Sequence, residues 1–356
     1  PGCTLWGACV ALTVVDRSVA SDSDAAIEVT GADTMVRNLL VTGQSPGLVA
    51  AGAATSLEIE DVIVAGASVR GVRVTGGATV TAHDLVVRDT AGSALDGTRG
   101  RGVQVEEGAT VTLRRAAVER NRHIGVFVTD AGSTLTMTDV VVAETREQTS
   151  DGEHGVGLHV QSGGQVDATR IALERNLAAG AMAGSAGTML RLTDAVVRDT
   201  LGDTHGRFGM GLGVGQGATA EVERVLLQAN RTAALLAADA GTVLTVLDVV
   251  ARETVSEAAS GDFGRGVDVT AGARAELERV ELTAHRDAAV FADGSSTSLV
   301  LADLVARDTQ TRTSDGGGGT GLLAQHAAQV DVTRVVASRN HETGMVATGI
   351  GTILTL

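Results

Sequence analysis

Five aspartates stand beside or near glycine in short polar stretches of this 356-residue chain: Asp96, Asp151, Asp203, Asp262 and Asp315. Carboxylate oxygens on such backbone are the donors that calcium takes, so they form one candidate ligand-binding set. None of the stretches has the acidic spacing of a helix-flanked calcium loop or of a Gly-Gly-x-Gly-x-Asp nonapeptide. The expectation is that no cofactor or metal is needed, with calcium the exception to test. His123, His154, His159, His205 and His326 could act as bases, but they fall at different repeat positions and form no constellation along the sequence. Cys3 and Cys9 are separated by five intervening residues and could close a short disulfide if the chain turns there. The alternative is two small buried apolar residues. Two thiols do not make a zinc site.

Composition excludes several functions. The formal charge is −15, and all 28 basic residues are arginine. An acidic chain with one Trp, four Phe and no Tyr lacks the basic face and stacking rings of a nucleic-acid binder. The same charge would repel an anionic polysaccharide. An apolar share of 44% is too high for a disordered chain. No run of 18 uncharged apolar residues is present, so no membrane-spanning helix is expected. Gly is frequent, at 46 residues, and Pro is rare, at 2.

These figures acquire a cause once the repeat is seen. Gly-x-Gly begins at Gly100, Gly155, Gly209, Gly264 and Gly319, in steps of 54 or 55 residues. Each step divides, since Gly102 to Gly125 is 23 residues and Gly125 to Gly157 is 32. The elementary unit is thus a turn of about 23 residues, and alternate turns carry an insertion of eight or nine. Within a turn, apolar residues alternate in short bursts: Val103 and Val105, Val111 and Leu113, Ala116 and Val118. Period two in three bursts predicts three short strands per turn, with no helix. Stacking one turn on the next gives an all-β right-handed parallel β-helix, a solenoid of alternating 23- and 32-residue turns. Inner strands donate every N–H to a neighbouring turn, which excludes Pro. The chain reads as one domain over 1–356, with irregular turns at 1–46 and regular turns at 47–356.

Aligned turns expose columns. Asn121, Asn176, Asn230, His285 and Asn340 form one, read as a structural Asn ladder at a bend. Asp89-Thr90, Glu144-Thr145, Asp199-Thr200, Glu253-Thr254 and Asp308-Thr309 form a second, read as side-chain caps where each insertion leaves the solenoid. A third alternates in sign: Asp84, Arg115, Asp139, Arg170, Asp194, Arg224, Asp248, Arg279, Asp303 and Arg334. Stacked one strand spacing apart, alternating charges attract where like charges would repel, and they fix register. Asp61 precedes Asp84, so the alternation fails at the amino-terminal end. The insertions leave one edge at every second turn and form a ridge of polar loops, the expected binding surface.

The repeat, Gly-x-Gly-Val/Leu-x-Val followed by Gly-Ala-x-Val-x-Leu-x-Arg and Glu-Arg-Asn-Arg, resembles the right-handed parallel β-helix repeat proteins of the pectin-lyase-like superfamily from about residue 70 to 356. The opening Thr4-Leu5-Trp6-Gly7-Ala8-Cys9 is similar to uncharacterised secreted or surface proteins of myxobacteria-like bacteria. The resemblance implies the fold and an exported, extracellular or outer-surface location; it implies no activity. Polysaccharide-cleaving sites on this fold interrupt the repeat, whereas here the charges belong to it. The expectation is therefore a non-enzymatic rod with no catalytic residue, a spacer or adhesin offering its loop ridge to a glycan, matrix or protein. A polysaccharide lyase or glycoside hydrolase is the alternative, and a self-assembling filament subunit the second. Gly351–Leu356 stops mid-turn, which suggests a fragment of a longer chain or end-to-end association.

Overall fold

The computed structural model describes residues 2–356, and among them there is no helix. Contacts group the chain into two units, Pro1–Glu174 and Arg175–Leu356, each a stack of parallel strands in two sheets. In the first unit one sheet holds ten-residue strands, among them Thr79–Arg88, Thr110–Glu119 and Thr134–Ala143. The second sheet holds short strands, including Arg70–Thr75, Arg101–Val105, Ile124–Val128 and Val156–Gln161. The second unit repeats this, with Thr219–Gln228 and Val243–Arg252 in the long-strand sheet and Arg265–Thr270 and Ala288–Asp293 in the short-strand sheet. Pairing follows the sequence period: Val103 lies beside Val126 and Val126 beside Leu158. Parallel pairing reaches back to Ile27, which lies beside Leu48 inside the amino-terminal stretch.

The second and third bursts of each turn are two arms of one ten-residue strand. The bend falls on the charged column. Asp84, Arg115, Asp139 and Arg170 have φ of 55°, 50°, 57° and 52°, and the column continues so through Asp194, Arg224, Asp248, Arg279, Asp303 and Arg334. One left-handed residue resets the pleat, so apolar positions spaced two, three and two apart all point inward. Val111, Leu113, Ala116 and Val118 are all buried accordingly. A left-handed arginine is strained. Its bidentate bonds to an aspartate one turn away help offset that cost. Arg115 donates Nε to Asp84 Oδ1 at 2.8 Å and Nη2 to Oδ2 at 2.7 Å. Arg170–Asp139, Arg224–Asp194, Arg279–Asp248 and Arg334–Asp303 repeat the geometry. Each arginine thus reaches back across the long step, so the column is a series of clasps. Across the short step, Asp139 acts on Arg115 by charge alone. The arginine's hydrogen bond is the main cause holding the Asp84, Asp139, Asp248 and Asp303 carboxyls below their usual range.

The Asn column does not stack on itself, because its members occur only in every second turn and alternate with the Thr column. Asn230 is fully buried. It accepts from Thr200 N at 3.3 Å and Thr200 Oγ1 at 2.8 Å, and donates to the Val197 carbonyl at 3.1 Å. Asn121 and Asn340 make the matching bonds to Thr90 N and Val87 O, and to Thr309 N and Ala306 O. This explains Gly-x-Gly. The first glycine has φ of 91–105° at Gly100, Gly155, Gly209, Gly264 and Gly319. A Cβ on the second would lie 2.7 Å from Asn121 Nδ2 at Gly102 and 3.0 Å from Asn230 Nδ2 at Gly211. His285 takes the same place, wholly buried, with Nε2 donating to the Ala251 carbonyl at 3.0 Å. Cys3 and Cys9 are free thiols, so the short disulfide does not form.

Asn230→Leu orphans the Thr200 amide and the Val197 carbonyl and is expected to cost about 1–3 kcal/mol, read from urea unfolding. Burial lowers the His285 pKa from 6.5 to about 4. Between those values the unfolded chain binds more protons, so stability is full above pH 6.5 and falls as the solution is acidified toward pH 4. His285→Asn restores the residue found elsewhere in the column. It should remove roughly 3 kcal/mol of that acid sensitivity, measured as unfolding midpoints at several pH values.

Candidate functional site

The five loop aspartates are not brought together. Asp96 accepts from Thr98 N and Oγ1, Asp151 from Gln148 Nε2 and Glu153 N, and Asp315 from Gly317 N and Arg312. Asp203 is buried and accepts from His205 N, Arg207 N and the Arg207 guanidinium. Asp262 accepts from Ser314 Oγ at 2.6 Å. Four of the five close their own loop by binding the amide two residues on, which is the turn chemistry of aspartate. Among the described residues no group of three or more His, Cys, Asp or Glu is placed to hold a metal ion. The loops do stack into a ridge. In the first unit Arg99 N donates to Gln148 Oε1 at 2.7 Å, and in the second Ser314 N donates to Gly261 O at 3.0 Å.

Three histidines that looked unrelated in the sequence do converge. His123 and His154 meet edge to face with ring centroids 4.5 Å apart, and His159 meets Phe127 in the same manner at 5.7 Å. The reason is strand register on the short-strand sheet of the first unit. Arg73 lies beside Gln104, Gln104 beside Phe127, and Phe127 beside His159. These are the variable outward positions of the repeat, between inward valines such as Val103 and Val105. Arg70 and Arg101 form the next column, also in register. The second insertion loop adds His154, and the first adds the charge of Arg99.

The polar groups are bonded in a chain. Arg70 Nε and Arg101 Nη1 both donate to Gln104 Oε1, at 3.0 and 3.1 Å. Gln104 Nε2 donates to Glu106, which also accepts from Arg73. The Arg101 guanidinium lies 4.0 Å from the Phe127 ring centre. Burial, then the Arg70 and Arg99 charges, lowers Arg101 to about 10. Burial also takes His123 down to about 3, with Arg101 the next cause, and His159 to about 4, with His154 next. Both imidazoles are therefore neutral at pH 7. Among the described residues, His123 Nδ1, His159 Nδ1 and Arg101 Nε are buried with no hydrogen-bond partner. Four arginines, Arg70, Arg73, Arg99 and Arg101, gather here with Glu106 and Asp22 as the acids acting on Arg70, in a chain whose net charge is −15. The arrangement can receive an anion and offers neutral nitrogen bases next to it. An open groove of about 570 Å³ on the other sheet of this unit is lined by Thr34, Ser56, Glu58, Thr79 and Thr81, without comparable charge or buried bases.

Sequence reasoning missed Arg70, Arg73, Arg101, Gln104, Glu106 and Phe127. The signal was present as the second variable position of Gly-x-Gly-Val-x-Val: Gln104, Phe127 and His159 are in that place in successive turns.

A family model described as "Right handed beta helix region" matches residues 13–197. No curated protein matches the chain. Among solved structures, the Azotobacter vinelandii mannuronan C-5 epimerase AlgE4 A-module is 12% identical, over 92% of this chain and 91% of that one, with a TM-score of 0.38. A PL6 alginate lyase in complex with a trisaccharide is 10% identical, over 96% of this chain and 86% of that one, also with a TM-score of 0.38. Likeness at this identity concerns the fold. The expectation of a non-enzymatic chain is corrected here: the solved structures it resembles are an epimerase and a lyase.

Removing the Arg101 charge is expected to raise the pKa values of His123 and His159 toward 6.5. Imidazole NMR titration of Arg101→Ala against the unaltered chain checks this. Unmoved titrations would mean that Arg101 does not act on those rings.

Proposed function

We propose that this chain, which belongs to the right-handed β-helix family, binds an acidic polysaccharide on the short-strand face of its first unit and acts on it by proton abstraction. The observation that carries the reading is the arginine cluster around Gln104 beside two neutral histidines, His123 buried and His159 half-buried. Net charge misleads at this range. Salt screens charges beyond about 8–10 Å, so a carboxylate near Arg70 and Arg101 feels those guanidinia far more than the distant acidic residues.

The chemistry follows from the groups present. A uronate carboxylate held by Arg70 and Arg101 has its charge offset, which acidifies the C–H bond next to it. An imidazole nitrogen takes that proton, and the electron pair delocalises onto the carboxylate; a solvent deuteron returned to the same carbon restores the sugar, whereas breaking the neighbouring C–O bond turns the pair into a C=C and releases the sugar oxygen, which takes a proton from the imidazolium. The bound anion also favours the imidazolium it creates, lifting a histidine pKa that burial had lowered. Hydrolysis fits less well, because it needs two free carboxyl groups flanking the bond. Glu106 is already engaged by Arg73 and Gln104. Polymers of this kind lie outside cells, and the proposal places the chain there.

The test incubates the chain with a panel of polyuronates in deuterated water. Expected results are deuterium incorporation next to the carboxylate, or an unsaturated chain end seen by ultraviolet absorbance, either marking the abstraction. Arg101→Ala should lower the rate by about 10²-fold or more. Absence of both exchange and unsaturation across the panel overturns the reading.

A further inference from the structure

The second unit carries a similar arrangement in which aspartates pair with the arginines. Arg265 stands in Gly264-x-Gly266 as Arg101 stands in Gly100-x-Gly102, Asp268 replaces Gln104, and Phe291 matches Phe127. The Arg265 guanidinium lies 3.5 Å from the Phe291 ring centre, closer than its counterpart. Around it the partners are acids. Arg265 Nη1 binds Asp268 Oδ2 at 2.8 Å and its Nε binds Asp287 Oδ2 at 2.8 Å. Asp287 Oδ1 accepts from Arg312 Nη1 at 3.0 Å, on the third insertion loop of this unit. Asp268 lies beside Phe291 in the strand register, and its side chain is 9% exposed. Its second oxygen, Oδ1, is buried with no hydrogen-bond partner among the described residues. Burial raises its pKa, despite Arg265.

A buried carboxylate oxygen without a donor is costly, and clasps of this kind elsewhere in the chain use both oxygens. We propose that Asp268, Arg265 and Asp287 form a second saccharide site that takes an uncharged, hydroxyl-bearing sugar unit, one hydroxyl donating to Asp268 Oδ1. Asp268 and Asp287 already engage the Arg265 and Arg312 guanidinia, so a uronate carboxylate would meet two carboxylates and no free cation there, in contrast with the first unit. The rim supplies the access. Asp287 is roofed by the backbone of Gly318, where a Cβ would come within 2.8 Å of Asp287 Oδ1. That roof belongs to the run Gly316-Gly317-Gly318-Gly319, and the proposal requires this run to lift as the sugar enters, a change glycine backbone permits. This site stands apart from the acidic-polysaccharide reading, since Arg101→Ala addresses that one and leaves this one intact.

The experiment titrates the full chain with uncharged hexaoses of glucose, xylose, mannose and galactose, and with a hexauronate, by calorimetry. At least one uncharged hexaose should bind, Asp268→Asn should weaken it tenfold or more, and Arg101→Ala should leave it unchanged. The proposal is overturned if no uncharged hexaose binds. It is equally overturned if Asp268→Asn, melting within a few degrees of the unaltered chain, binds as tightly. Should Asp268→Asn lower the Tm further, amide exchange of the unaltered chain decides. Protection by the hexaose at Arg265–Thr270 and Ala288–Asp293 supports the site, and protection confined to other strands refutes it.

Discussion

Everything in this chain depends on the backbone hydrogen bonds that join one turn to the next in parallel register. They fix which residue lies over which, and the rest of the sequence is a set of answers to that constraint. An inward column must fill a narrow interior without large rings, hence valine, alanine and leucine at positions such as Val103, Val126 and Leu158. An outward column does not fill that interior, and it differs from turn to turn, as Gln104, Phe127 and His159 do. The bend inside each long strand comes from a single left-handed residue, and the aspartate–arginine clasps hold that residue in place where a glycine would be the easier choice. The clasps are largely exposed, so what they contribute is register and conformation more than bulk stability.

The alternation of long and short turns has an interior counterpart. Where an insertion departs, the strand ends on a buried threonine, and the next turn supplies asparagine or histidine from inside to bind the departing backbone. The polar residue is needed because the insertion removes the neighbouring strand that would otherwise satisfy those groups. Room for it comes from the second glycine of Gly-x-Gly. Three features that look separate in the sequence, the insertion, the asparagine and the glycine pair, are one solution to one backbone problem.

That coupling explains what could be read from the sequence. Turn length, strand period and the charged column were legible because they repeat, and repetition is what a single sequence displays. The Asn column was legible in place but not in role, because its partners sit 31 to 34 residues back, at Thr90 and Val87 for Asn121. The three-histidine cluster was not legible at all. His123, His154 and His159 occupy a corner, a loop end and a strand centre, and only the register of neighbouring turns makes those places adjacent. A search for repeated columns discards the non-repeating position between the inward valines, and that position carries Gln104 and Phe127.

The two units show how much chemistry such a position can vary without disturbing the scaffold. In both, an arginine at the middle of Gly-x-Gly lies over a phenylalanine from the following turn, so the guanidinium is desolvated and its charge is poorly screened. In the first unit its neighbours are arginines and histidines, and the buried imidazoles give up their protons. In the second its neighbours are Asp268 and Asp287, and the charge is shared between two carboxylates. The Gly-x-Gly frame and the strand pairing are the same at the two places, so the local charge is set by the side chains at the variable positions and not by the fold. A solenoid can therefore change its local charge one turn at a time, because these positions lie apart from the inward column, the clasp and the buried asparagine.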